Sequence, residues 1–177
     1  MTKVYVGMSG GVDSSLTAAL LVEQGYDVTG VYMKNWTEDL PGMKCPWADD
    51  LADAKRVAVQ LGTDFKVFDF ENEYKHKVVD YMIEEYKLGR TPNPDIMCNQ
   101  EVKFKLFLDA AIEDGGDMIA TGHYARVEIA GPVVESAPDS RTITSAESGA
   151  APLDATRGSF GVLKMAEDAN KDQTYFL

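Results

Sequence analysis

Along its first two thirds the chain alternates between two hydrophobic periodicities. Val4-Tyr5-Val6-Gly7-Met8 is an unbroken apolar run closed by Ser9-Gly10-Gly11, the pattern of a strand buried on both faces and ended by a turn. A helix is predicted from Asp13 to Gln24, with Leu16, Ala19 and Leu20 on its inner face and Gly25 as its stop. Val28 to Met33 reads as a second strand. Beyond Pro41, Gly42 and Pro46, the residues Leu51, Ala54, Ala58 and Leu61 recur at helical spacing up to Gly62, and Phe65 to Phe68 is a third strand. Val79, Met82, Ile83 and Tyr86 mark one face of a longer helix ending near Gly89. Two prolines make Thr91-Pro92-Asn93-Pro94-Asp95 a stiff, non-helical loop. A fourth helix follows along Phe104, Phe107, Leu108 and Ala111, and Met118-Ile119-Ala120 is a fourth strand.

Alternation of this kind requires right-handed crossovers, so the expected fold is α/β, an open parallel sheet with helices on both faces. Ligands of such sheets bind beyond the carboxyl ends of the strands. Residues 1–129 are expected to be the catalytic domain. From 130 to 164 the composition turns to Ala, Ser, Thr, Gly, Pro and Asp with little periodicity, as in a flexible insertion. Residues 165–177 read as the start of a strand-rich continuation, with Thr174-Tyr175-Phe176-Leu177 like a strand cut midway.

With 177 residues, 45% of them hydrophobic, the chain is expected to build one core of its own. A net charge of -12 opposes a surface that grips phosphate backbones broadly, because such affinity comes from Lys and Arg displacing counterions. Contact with nucleic acid is then expected either in local patches or mostly on segments outside this chain, and DNA is not expected as a partner. Two cysteines, Cys45 and Cys98, cannot make a disulfide framework. No leader pattern and no apolar run of about 18 residues is present, so a cytoplasmic protein without a membrane span is expected.

Ser9-Gly10-Gly11-Val12-Asp13-Ser14-Ser15 lies between the first strand and the first helix, where backbone N–H groups and the helix dipole together attract phosphate. Two glycines let the main chain approach an anion, and the serines add hydroxyl donors. Asp13 suits a magnesium ion bridging phosphates. No Gly-Lys-[Ser/Thr] follows, so this is not a kinase-type loop, and it does not fit the dinucleotide fingerprint. The bland alternative is a Gly-Gly turn N-capped by Asp13 or Ser14.

Cys98 falls at the start of the fourth helix, where the dipole would lower a thiol's pKa and sharpen its nucleophilicity. Asp95 is close enough in sequence to orient that site or exchange a proton with it. The competing reading is a small buried hydrophobe. For Gly122, which follows the fourth strand, the missing side chain would let a nucleotide lie against the backbone. His123 could stack on an unpaired base, and Lys103 and Lys171 could meet phosphates.

The loop resembles that of the ATP pyrophosphatases, which cleave ATP between its α and β phosphates and pass AMP to a substrate oxygen. The resemblance narrows with Asp49-Asp50-Leu51-Ala52-Asp53-Ala54, Asn93-Pro94-Asp95 followed by Cys98, Gly122-His123-Tyr124-Ala125-Arg126, and Lys171-Asp172-Gln173-Thr174-Tyr175-Phe176-Leu177. Together these are similar to the tRNA-specific 2-thiouridylases. That likeness implies an adenine-nucleotide hydrolase-like, Rossmann-like fold and ATP-dependent 2-thiolation of the wobble uridine, with ATP and Mg as cofactors. By the same likeness Gly7, Met8, Ser9, Gly10, Gly11, Val12, Asp13, Ser14, Met33 and Gly122 contact ATP, and Asn93, Pro94 and Asp95 meet the target base. Cys98 is implied to be the nucleophile, and His123, Lys171, Asp172 and Gln173 touch tRNA. A persulfide sulfur-carrier protein is the implied second partner. The family's downstream, persulfide-bearing cysteine has no counterpart before Leu177. The cradle and the thiol are expected to face one cavity. Two other readings stay open: a ligase using the same loop without sulfur chemistry, and a regulatory module that senses ATP without turnover.

Overall fold

The computed structural model describes residues 1–38, 45–130, 160–168 and 170–174. They form two compact units, Met1–Gly122 and His123–Leu177. The division falls ahead of the expected boundary at residue 129.

In the first unit, four strands lie in the order β3-β2-β1-β4: β1 Lys3–Gly7, β2 Asp27–Lys34, β3 Asp64–Asp69 and β4 Met118–Ala120. All three pairings are parallel, with Val6 opposite Gly30 on one side and Ala120 on the other. Pleating sends alternate side chains to opposite faces. Val4, Val6, Val28 and Tyr32 join Ala18 of helix α1 (Val12–Glu23) and Ala54 and Ala58 of α2 (Trp47–Leu61) in one core. Tyr5 and Val31 join Val78, Val102, Phe107 and Ala111 in a second core on the other face. Helices therefore cover both faces of an open parallel sheet, as the alternation predicts. Gly62 ends α2 in the left-handed conformation at φ 70°, as expected of a glycine stop.

Two helices depart from their expected phase. In the helical run 71–87, ordinary turns at Glu71–Tyr74 and Asp80–Lys87 flank a wider, π-type turn at Lys75–Val79. The extra residue rotates the following face, so Val78 is buried while Ile83 and Tyr86 are 43% and 58% exposed. The stripe Val79, Met82, Ile83, Tyr86 is thus not the packing face. In α1 the buried residues are Ser14 and Ala18, with Leu21 and Val22 packed beside them, and Leu16 faces out at 55% exposure. A helix apolar nearly all round gives periodicity little to resolve.

The second unit is described in part. β5 (Arg126–Ala130) pairs antiparallel with β6 (Phe160–Lys164), Arg126 opposite Lys164. The end of the segment read as an insertion is therefore a strand, in register with a partner that composition cannot reveal. Residues 131–159 and 175–177, which carry the rest of that reading and the interrupted strand, lie outside the described residues. Among the described residues no helix is long and apolar enough to cross a membrane.

Candidate active site

The chain leaves β1, builds β2 and β3 to one side, and returns to place β4 on the other. The carboxyl ends of β1 and β4 thus flank a topological switch point, the crevice where open sheets of this type hold ligands. The Ser9–Ser15 loop springs from one of these ends and Gly122 from the other.

The loop is held by its own hydroxyls. The Ser9 backbone N–H donates to Ser14 Oγ at 3.2 Å, and the Gly11 N–H to Ser9 Oγ at 3.4 Å. Ser14 Oγ and Ser15 Oγ donate to the Gly11 carbonyl at 3.2 and 2.7 Å. The N-cap of α1 is Gly11, and among the described residues no side chain caps the helix. The cap is thus Gly11 and neither Asp13 nor Ser14, which corrects that detail of the plain-turn reading. An uncapped helix start behind a glycine turn presents first-turn N–H groups and the positive dipole end to an anion. Val12 stands 82% exposed beside it.

Two glycines are fixed by close approach. Gly10 has φ 81°, and a Cβ there would lie 2.7 Å from the Asp50 carbonyl oxygen and 3.2 Å from the Asp53 Cβ on α2. A Cβ on Gly122 would lie 2.6 Å from Ser14 N and 2.8 Å from Asp13 C. Gly122 therefore seats the end of β4 directly on the start of α1, a packing role that the sequence reading, which reserved the space for nucleotide, did not foresee. Met33 borders the loop's foot, its Cε 2.9 Å from a Cβ built on Gly7. The Asp50 and Asp53 contacts were also missed; their one signal was the acidic stretch Asp49 to Asp53.

Beyond Met33, Lys34 Nζ pairs with Asp69 Oδ2 at 3.3 Å and with Glu71, whose other oxygen accepts from Thr37. Lys34 Nζ also lies 5.8 Å from the Trp47 ring centre. The bond to Glu71, ahead of the desolvation that opposes it, raises the Lys34 pKa. Glu71 is lowered by Lys34 first and then Thr37. This knot ties the ends of β2 and β3 to the starts of α2 and the 71–87 run.

The thiol is placed differently from expectation. Asn93 is an N-cap whose side chain accepts from Asp95 N and Ile96 N at 3.1 and 3.2 Å, with Pro94 as the first helical residue. The helical run 94–113 thus begins four residues before Cys98, which opens a π-type stretch, Cys98–Leu106, instead of sitting at the tip. Half-buried against the second core, its thiol is pushed up in pKa by burial, against a downward pull from Lys103, with Asp95 adding to the rise. The expected dipole-lowered thiolate is not found. Tyr74, on the facing helix, is also raised, by burial first and then by Cys98 and Asp95. Asn93 and Asp95 are exposed. Cys98 packs with the second core, on the sheet face opposite the one that α1 covers, and Phe107 and Met33 of that core border Gly7 at the end of β1.

In the second unit, Tyr124 N donates to Gln173 Oε1 at 2.8 Å and Gln173 N to the Tyr124 carbonyl at 3.1 Å. Lys171 Nζ lies 5.5 Å from the Tyr124 ring centre. Asp172 accepts from Ala166 N and Thr174 N at 2.9 and 3.2 Å, so its carboxylate closes a turn. His123 is half-buried.

The family model described as the tRNA methyl transferase HUP domain matches residues 2–177. A protein of Akkermansia muciniphila with the name tRNA-specific 2-thiouridylase MnmA is 47% identical over 179 residues, covering 100% of this chain and 42% of its own length. Its namesake in Shouchella clausii is 49% identical over 176 residues, covering 99% of this chain and 41% of its own. The resemblance to the 2-thiouridylases is borne out. The chain spans about two fifths of the length of these curated relatives. Among solved structures, the U34-tRNA thiolase NcsA of Methanococcus maripaludis aligns at 26% identity and a TM-score of 0.47, over 69% of this chain and 38% of that one.

Proposed function

Because this chain belongs to the tRNA methyl transferase HUP domain family, we propose that it is the ATP-using part of a tRNA-uridine 2-sulfurtransferase, which activates the uracil 2-oxygen as an adenylate and replaces it with sulfur. The observation that carries this reading is the uncapped start of α1 behind the glycine–serine loop, at the switch point of the sheet. It has the donors and field to hold polyphosphate and to neutralise charge developing on departing pyrophosphate. Met33 borders the same loop and is assigned with it to the nucleotide, while Gly122 is assigned there through its main chain and through the helix start that it seats.

In this scheme the uracil 2-oxygen attacks the α-phosphorus and pyrophosphate leaves. The terminal sulfur of a protein cysteine persulfide then adds to C2. The Cys98 thiolate attacks the inner persulfide sulfur and breaks the S–S bond, so its electron pair stays with the sulfur on C2. Expulsion of AMP completes the thiocarbonyl, and Cys98 is left in a disulfide with the carrier. Asp95 serves to move a proton at this site, and Asn93 and Pro94 are assigned to the target base. His123, Lys171 and Gln173 are assigned to tRNA; Asp172 acts there through the turn it closes. Among the described residues no group of three or more His, Cys, Asp or Glu could hold a metal. Of the residues at the loop, Asp13 would hold a magnesium ion, which would supply charge neutralisation at the phosphates.

The test supplies the intact protein with tRNA, ATP and inorganic sulfide or a persulfide carrier, and reads pyrophosphate release and 2-thiouridine by nucleoside mass spectrometry. Wild type is expected to do both, and Cys98→Ser to release pyrophosphate while losing carrier-dependent thiolation at least tenfold. Undiminished activity in Cys98→Ser would favour the ligase without sulfur chemistry. No RNA-stimulated pyrophosphate release at all would favour the regulatory module.

A further inference from the structure

The helix that carries Cys98 holds an amino group whose position the proposed scheme does not use. In an α-helix, residues five apart point about 140° away from each other, since each residue turns the chain by about 100°. The stretch Cys98–Leu106 is wound more widely, ending in a bond from Phe107 N to the Val102 carbonyl, five residues back. Wider winding turns each residue through a smaller angle, so the fifth residue comes back toward the side of the first. The fifth residue after Cys98 is Lys103.

Lys103 is half-buried and belongs to none of the ion pairs among the described residues. Its neighbours differ: Lys105 and, from the 71–87 run, Lys77 both pair with Glu101, at 3.5 and 3.3 Å. The Glu101 carboxylate is thus engaged by two other cations, while the field of Lys103 acts on the Cys98 thiol. The other ionisable groups facing that thiol are Asp95 on the same helix and Tyr74 from the run packed against it.

We infer that Lys103 is the positioning residue for the Cys98 thiolate: the π-type winding carries its ammonium round to the thiol's side, where it favours the ionised sulfur. This rests on the assignment of Cys98 as the nucleophile. It also resolves a difficulty in that assignment, because a half-buried thiol five residues into a helix lacks the help of the helix end. Lys103 would supply that help, and Asp95 would oppose it until substrate or a proton neutralises the carboxylate.

The experiment is a pH series of Cys98 alkylation by iodoacetamide in the intact protein, with Cys45→Ser in the background and folding followed by circular dichroism. In Lys103→Met the alkylation midpoint is expected to rise by about half to one pH unit, slowing the reaction about three- to tenfold at neutral pH. Lys103→Arg should restore most of the rate, Asp95→Asn should shift the midpoint the opposite way, and 1 M salt, roughly a 3 Å screening length, should narrow the gap between wild type and Lys103→Met. A folded Lys103→Met with the wild-type profile, or failure of Lys103→Arg to restore it, overturns the inference. If Lys103→Met does not fold, Lys103→Gln takes its place, read against wild type and Lys103→Arg by the same alkylation profile. The readout needs neither ATP nor RNA. An unshifted profile beside intact thiolation defeats Lys103 alone, whereas undiminished thiolation in Cys98→Ser defeats the nucleophile assignment.

Discussion

At the scale of the residue, the glycines around the loop separate space kept for a ligand from space taken by the fold. Gly122 belongs to the second kind, because the atoms a Cβ would meet are Ser14 N at 2.6 Å and Asp13 C at 2.8 Å. Backbone cannot swing aside as a side-chain end can, so Gly122→Ala must push β4 and α1 apart. We expect a stability loss of about 1–3 kcal/mol and, by calorimetry, ATP affinity down at least about tenfold, since the displaced group is the anion-binding helix start. Unchanged affinity in the folded variant would mean the cradle does not depend on that seat. The sequence made the glycine conspicuous but not its contact, since Gly122 and Ser14 meet only through the β1–β4 pairing.

At the scale of the element, periodicity located strands and helices well and failed where a helix changes its winding. Val78 is buried and Tyr86 exposed because a π-type turn at Lys75–Val79 intervenes, and no residue type announces such a turn. Capping was misread for a related reason. Pro92 and Pro94 both discourage helix before them, yet a proline fits the first helical position, and Asn93 supplies the cap. Asn93 thus has two assignments, cap and base contact, which two variants separate. Asn93→Ala should cost about 1 kcal/mol in a denaturant titration, and Asn93→Asp almost nothing, since Asp caps equally well. If Asn93→Asp keeps stability but loses tRNA affinity, the amide also reads the base. If it keeps both, the residue is a cap alone.

At the scale of the molecule, the two ends of the sheet do different work. The carboxyl end carries the loop, while the opposite end is closed by Asp114, which accepts from Tyr5 OH at 2.7 Å and pairs with Lys66. Asp114 is held below its ordinary 3.8 by Lys66 first and Tyr5 next, and Lys66 is raised above 10.5, first by Asp114. A depressed carboxylate favours the fold above its ordinary pKa and loses that effect as pH falls through the depressed one. The raised lysine favours it below its ordinary pKa. We therefore expect Asp114→Asn to lower the thermal midpoint at pH 7, with the gap to wild type closing as pH falls below the ordinary carboxylate value of 3.8. A gap that persists in acid would assign the loss to packing. None of this was legible in the sequence, where Tyr5, Lys66 and Asp114 stand far apart, whereas the order of strands and the loop's place on them were.

Strand order also dictates a timetable for biosynthesis. β1 emerges from the ribosome first and finds β2 soon after, but its other neighbour is β4, Met118–Ala120. Until that segment appears, the β1 edge stays open to mispairing and Gly122 is not there to seat α1. The nucleotide cradle, attached to the earliest strand of its unit, is therefore among the last parts of that unit to become competent.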